Sequence, residues 1–315
     1  MNHFKGLMAA PFTPFDPKGR LNLEIIPLYV DKMIADGLKG IFVCGSNGEG
    51  PNMTSDERIA VAKAFKEAAG SRIKVYVHVG HSSISESQRL ANHARLIGAD
   101  AISSVAAFYF KPASVKNLVD ALAEIASAAP DLPFFYYHIP HLTGMSMDMI
   151  ELLKLGEKKI PNLKGIKYTA TTLWEYQLCL NEAAGKFDIL FGLDEMLLPA
   201  LAVGAKGAIG STYTFAAPLY LKVIKSFEEG DLEGARKKML YLVEMVKVLL
   251  KFPPIPAQKS IVKRLGLDLG PCRLPLTTLS NEDEYSLFEQ LDSIGFFEKL
   301  KNFSQSENEK QKLVL

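Results

Sequence analysis

At 315 residues, with 48% hydrophobic and 23% charged side chains, the chain can bury a substantial core and lacks the composition of a disordered protein. A formal net charge of +1 supplies no concentrated basic face, which argues against nucleic acid and an anionic membrane surface and leaves a small molecule as the expected partner. Cys44, Cys179 and Cys272 form no CxxC pair and leave an odd one over, as expected of free thiols in a reducing compartment. Residues 1–15 are interrupted by Pro11 and Pro14 and lack the long apolar core of a secretory signal, and no run reaches the roughly 18–20 apolar residues of a membrane span, so a cytoplasmic location is expected.

Eight short β-branched and aromatic runs, at 6–14, 40–45, 73–80, 101–106, 133–139, 163–168, 188–193 and 207–211, alternate with longer helical patterns. That order predicts βα units on a parallel sheet, and several runs are apolar on both faces, as strands covered on both sides must be. The junctions into four of them repeat: Gly37-Leu-Lys-Gly-Ile, Gly98-Ala-Asp-Ala-Ile, Asn162-Leu-Lys-Gly-Ile and Gly204-Ala-Lys-Gly-Ala. Each reads as a left-handed helix stop, a short turn and a strand start. Thr54 and Glu57 form a capping-box signature ahead of Ile59, and Ser85 is a weaker start signal before Leu90.

Eight βα units predict a closed (β/α)8 TIM barrel, with an open doubly wound sheet as the alternative because periodicity does not show closure. After Ser211 the spacing turns helical over 218–229, 232–252, 257–265 and 282–300, broken by Phe252-Pro-Pro-Ile-Pro. These segments predict the last barrel helix and an appended C-terminal helical bundle from about residue 231. Residues 1–301 form one expected barrel domain without a linker, and 302–315 a polar, frayed tail.

In such a barrel the carboxyl ends of the strands share one cleft, and that rule selects the candidates. Strand two runs into Cys44-Gly45-Ser46-Asn47-Gly48-Glu49-Gly50, where three glycines and two side-chain donors suit a nest for a carboxylate, or simply a turn. Strand five ends at Tyr137, a proton shuttle or a core aromatic. Strand six carries Lys167 in Gly165-Ile166-Lys167-Tyr168-Thr169. A lysine there either reaches solvent or loses proton affinity and becomes a nucleophile for a carbonyl. Asp194 and Glu195 end strand seven, to bind sugar hydroxyls or to cap the helix that starts near Met196. His78, His81, His138 and His141 lie near strand ends without HxxxH or HExxH spacing or a carboxylate cluster, so no metal is expected. Trp174 follows Lys167 and either walls a pocket or packs.

Together Gly45-Ser46-Asn47-Gly48-Glu49, Tyr136-Tyr137-His138-Ile139-Pro140, Gly165-Ile166-Lys167, Phe191-Gly192-Leu193-Asp194-Glu195 and Gly210-Ser211-Thr212-Tyr213 resemble the N-acetylneuraminate lyase branch of the family that also contains dihydrodipicolinate synthase. The resemblance runs from about Lys5 to Leu300. It implies a class I aldolase in which Lys167 forms a Schiff base with the keto carbon and Tyr137 relays the proton of the C4 hydroxyl. It further implies that Ser46 and Asn47 hold the carboxylate, and that Thr169, Gly192, Asp194, Glu195, Gly210 and Ser211 face the sugar. Tyr109 matches a tyrosine that approaches a neighbouring subunit's site, which implies a homotetramer. No cofactor is implied.

Two departures matter. Asn47 stands where the family carries Thr or Ser, and an amide donates to a carboxylate but cannot pass a proton as a hydroxyl does. Leu142 stands where the synthase branch has an arginine for a substrate carboxylate, which favours an uncharged sugar-like aldehyde. The alternatives are an aldolase or hydratase for another 2-keto-3-deoxy sugar acid, the synthase itself, and, outside enzymes, a barrel that binds sialic acid or pyruvate without turnover.

Overall fold

Each predicted run contains a strand, and the eight close in chain order into a parallel barrel, with β1 (Gly6–Ala9) pairing β8 (Gly207–Gly210). Between them stand β2 (Gly40–Val43), β3 (Lys74–His78), β4 (Ala101–Val105), β5 (Phe134–His138), β6 (Leu163–Tyr168) and β7 (Asp188–Phe191). Closure removes the open-sheet alternative. The structure is a computed structural model that describes residues 3–183 and 185–301; the tail expected over 302–315 lies outside the described residues.

The helices are α1 (Ile26–Ala35), α2 (Ser55–Ala69), α3 (Ile84–Leu96), α4 (Val115–Ser127), α5 (Pro140–Thr143), α6 (Met149–Lys159), α7 (Leu173–Ala183), α8 (Leu197–Ala202), α9 (Tyr213–Glu228), α10 (Leu232–Leu249), α11 (Pro254–Arg264) and α12 (Asn281–Ser293). Three of the four junctions behave as read, since Gly37, Gly98 and Gly204 take φ of 86°, 71° and 111°. The fourth does not. Asn162 avoids the left-handed region and instead donates Nδ2 to the Ala129 and Leu132 carbonyls at 3.1 and 2.8 Å, satisfying the chain end beyond α4.

Thr54 and Glu57 form the capping box of α2, whereas Ser83, not Ser85, caps α3 by accepting from the Glu86 amide. The helix expected from 218 begins at Tyr213 and carries Pro218 inside it, and the segment read as one helix over 282–300 is interrupted by Gly295 at φ 67°. The first strand is shorter than the run 6–14, because Pro11 and Pro14 supply no N–H for a ladder.

Period two along the strands divides the core. Ile41, Val43, Val75, Val77, Phe134, Ile166 and Phe191 face the helices, while Phe4, Met8, Phe42, Tyr76, Phe135, Tyr137, Leu190 and Ile209 fill the barrel. In β6 the alternation points Lys167 the same way as Gly165, inward. It therefore rests on a floor of aromatic and aliphatic side chains.

Candidate active site

Tyr137 and Lys167 are register partners across β5 and β6, so adjacent strands present both side chains to the same interior. The Lys167 Nζ lies 4.0 Å from the ring centroids of both Phe42 and Tyr137. Lys167 is buried, and among the described residues it makes neither an ion pair nor a hydrogen bond. Burial with no contacting anion pulls its amine down to about 7, the Asp194 carboxylate acting the other way. A lysine at that value is about half neutral at neutral pH, the state in which an amine attacks a ketone.

Burial pushes the Tyr137 phenol up to about 12, against the neighbouring hydroxyls of Ser46 and Thr169. It rests protonated, able to donate to a developing alkoxide. Asp194 opens a single 3-10 turn at Asp194–Met196, and its Oδ2 accepts from the Thr212 amide at 2.8 Å and from the Thr212 hydroxyl at 2.6 Å. Burial raises its carboxyl to about 6, Thr212 opposing. Gly210 makes room for it: a Cβ there would stand 1.7 Å from Asp194 Oδ1. Asp194 does not cap α8, whose start has no side-chain cap bond; its Oδ2 is committed to Thr212. Gly192 serves Thr169 in the same way, since a Cβ would meet Thr169 Oγ1 at 2.0 Å. That hydroxyl is buried and has no partner of good geometry.

Above Lys167 a cleft of about 240 Å³ gathers Ser46, Asn47, Tyr137, Thr169, Gly192, Asp194, Glu195, Gly210 and Ser211 along its walls. Of the site residues implied by the resemblance, all but Tyr109 line it. Among the described residues the amides of Ser46 and Asn47 have no acceptor, so two backbone N–H groups and two side-chain donors stand ready for an anion. Leu142 is exposed on the rim and brings no charge. Tyr109, 79% exposed, lies elsewhere, with Phe108 and Phe110 on the loop after β4. Trp174 is exposed on α7 and does not wall the cleft. The three cysteines are free; burial raises Cys44 to about 11 and Cys179 and Cys272 to about 12, which keeps the thiols protonated.

Sequence reasoning missed the groups that shape this environment. Phe42 faces inward from β2, a placement its alternation with Ile41 and Val43 could have shown. The Arg58 guanidinium, buried on α2, donates to the His78 and Gly80 carbonyls at 2.6 and 2.8 Å, and His78 meets Tyr137 edge to face at 5.9 Å. Burial, with Arg58 and Lys167 adding to it, holds His78 well below its usual value and therefore neutral. Thr212, one residue beyond the predicted Ser211, orients Asp194, and its hydroxyl, having donated to that carboxylate, accepts from the Tyr220 hydroxyl at 2.9 Å.

Comparison with known proteins finds relatives along nearly the whole chain. A profile of the dihydrodipicolinate synthetase family matches residues 3–294. N-acetylneuraminate lyase A of Xenopus laevis is 42% identical over 290 residues, covering 89% of this chain and 93% of the relative. The solved N-acetylneuraminate lyase (sialic acid aldolase) of Aliivibrio salmonicida superposes with a TM-score of 0.91 at 40% identity, covering 94% of this chain and 98% of the other. The sialic acid aldolase of Ruminococcus gnavus, solved as a catalytic lysine mutant, has a TM-score of 0.87 at 29% identity over 92% of this chain and 95% of the other.

Proposed function

The chain belongs to the dihydrodipicolinate synthetase family, and from that premise we propose that it is a class I aldolase that reversibly cleaves N-acetylneuraminate to N-acetylmannosamine and pyruvate. One observation carries the reading. Tyr137 and Lys167 stand opposite each other in the β5–β6 register, with an amine that burial holds at about 7.

The neutral Lys167 amine attacks the keto carbon of the open-chain sugar acid, and loss of water leaves an iminium. The positive nitrogen then accepts the electron pair of the C3–C4 bond, while the C4 hydroxyl proton passes through the Tyr137 phenol. N-acetylmannosamine leaves, the enamine is protonated at C3, and water releases pyruvate and restores the amine. The scheme draws on the protein's own amine and phenol and calls for no metal or cofactor. Ser46 and Asn47 hold the carboxylate; Thr169, Gly192, Asp194, Glu195, Gly210 and Ser211 face the sugar hydroxyls. Because Asn47 cannot relay a proton, the Ser46 hydroxyl beside Tyr137 is the group on this loop that can.

Leu142 on the rim favours a lyase over the synthase, whose branch carries an arginine at that place. The exposed Tyr109 fits a homotetramer in which it approaches a neighbouring copy's site, and the free thiols fit a cytoplasmic setting. Incubation with pyruvate and borohydride is expected to add a stable mass at Lys167, and a coupled assay to detect pyruvate released from N-acetylneuraminate. An unmodified protein overturns the reading. Faster turnover of 2-keto-3-deoxy sugar acids would instead reassign the sugar.

A further inference from the structure

The loop that carries Ser46 and Asn47 is held by groups the chemistry does not use. Its backbone is left-handed at two residues that bear side chains, Cys44 at φ 60° and Glu49 at φ 54°. Such a conformation is disfavoured and persists only where the surroundings over-determine it. From one side the Thr13 hydroxyl donates to the Gly48 carbonyl at 2.5 Å. Across the loop itself the Cys44 carbonyl lies so close to Gly50 that a Cβ there would meet it at 2.0 Å.

From the other side the C-terminal helices reach in. The buried Glu49 carboxylate lies 3.4 Å from the Lys259 Nζ on α11, and its second oxygen accepts from the Arg273 amide at 2.9 Å. Lys259, buried as well, donates to the Pro271 carbonyl at 2.8 Å and lies 4.8 Å from the Phe15 ring centroid. Arg273 then grips Glu57 through two bonds of 2.8 and 2.6 Å, and Glu57 completes the capping box of α2. The C-terminal segment thus holds both the exit of the loop and the start of the helix that follows it. Neither Glu49 nor Lys259 lines the cleft. Burying two ions costs desolvation that an apolar contact would not incur, and what the pair offers in return is a fixed direction and length.

We propose that Glu49 and Lys259 are positioning residues for the substrate's carboxylate: their buried ion pair holds Ser46 and Asn47 where the loop's donors converge on the keto acid. The appended helices, which already line the cleft through residues such as Val246, Leu249 and Gln258, then also set its carboxylate end. This inference rests on the aldolase reading above.

The test is steady-state synthesis by the full chain from pyruvate and N-acetylmannosamine, with Glu49→Gln, Lys259→Met and the paired Glu49→Gln/Lys259→Met variant. Each single change is expected to raise the KM for pyruvate about tenfold or more, while the KM for N-acetylmannosamine, which has no carboxylate, stays within about twofold. The paired variant should raise it no further than either single one, because the two residues act as one contact. It also leaves no unpaired buried charge, so it remains informative where a single variant fails to fold. Borohydride trapping at saturating pyruvate should stay complete, since Lys167 is untouched. A folded paired variant with the native KM for pyruvate, or equal rises in both KM values, overturns the proposal. A native protein that pyruvate and borohydride leave unmodified overturns the aldolase reading instead.

Discussion

Two lysines are buried to nearly the same depth, Lys167 at 3% exposure and Lys259 at 4%, and their surroundings make them opposites. Lys259 meets a carboxylate, a carbonyl and an aromatic ring, and Glu49 partly offsets the desolvation that lowers its proton affinity. Lys167 meets two aromatic rings and no contacting anion, so burial outweighs the Asp194 carboxylate and brings its amine to about 7. Paired burial makes a strut, and unpaired burial makes a nucleophile. Desolvation is common to both; the partner decides what it is used for.

The same substitution at the two positions should separate these roles. Lys167→Met is expected to remove catalysis by a factor of about 10⁴ or more, as loss of a covalent nucleophile does, while the melting temperature rises because an apolar side chain replaces a desolvated amine. A variant that retains borohydride-trappable pyruvate would break the comparison on that side. Lys259→Met should do the reverse to folding, costing about 3–5 kcal/mol in denaturant unfolding because Glu49 is left buried without its cation. Equal stability of native and variant would show that the pair is no strut.

Tyr137→Phe keeps the ring over Lys167 and deletes only the phenol. Turnover should fall by about 10²–10³, the usual range for a lost proton shuttle, while pyruvate trapping at Lys167 persists; loss of trapping would place the phenol in imine formation instead. The smallest effect concerns pH. Because free Lys167 must be neutral to attack, kcat/KM should rise with pH through about 7. Asp194 favours the protonated amine, so Asp194→Asn should move that limb to lower pH. A shift to higher pH would reverse the sign assigned to the carboxylate. The residual activity of this variant also reads the loss of its bonds to Thr212.

The barrel was legible because its signals are local. Alternation of strand and helix patterns, the left-handed glycines at 37, 98 and 204, and the Thr54–Glu57 capping box each act within a few residues. Where a local signal had a competitor it misled: Asn162 bonds the chain end beyond α4 through its side chain instead of turning, and Ser83 takes the cap expected of Ser85. Strand ends pointed to Tyr137, Lys167 and the loop at Ser46 and Asn47, and the resemblance supplied Thr169, Gly192 and Gly210; these meet in one cleft, while Tyr109 lies outside it.

The residues themselves thus determined eight βα units, neighbouring strand ends that carry Tyr137 and Lys167, and a loop rich in donors. Only the tertiary structure decided what surrounds each charge. In the sequence Lys259 is a polar residue in an ordinary helical run, and its carboxylate lies 210 positions away. Burial depth and ion pairing are sums over neighbours from many parts of the chain, so no local pattern encodes them. Closing the barrel and folding the last helices back against it brings Glu49 to Lys259 and leaves Lys167 against aromatic rings with no anion in contact, and that difference in company separates a support from a catalyst.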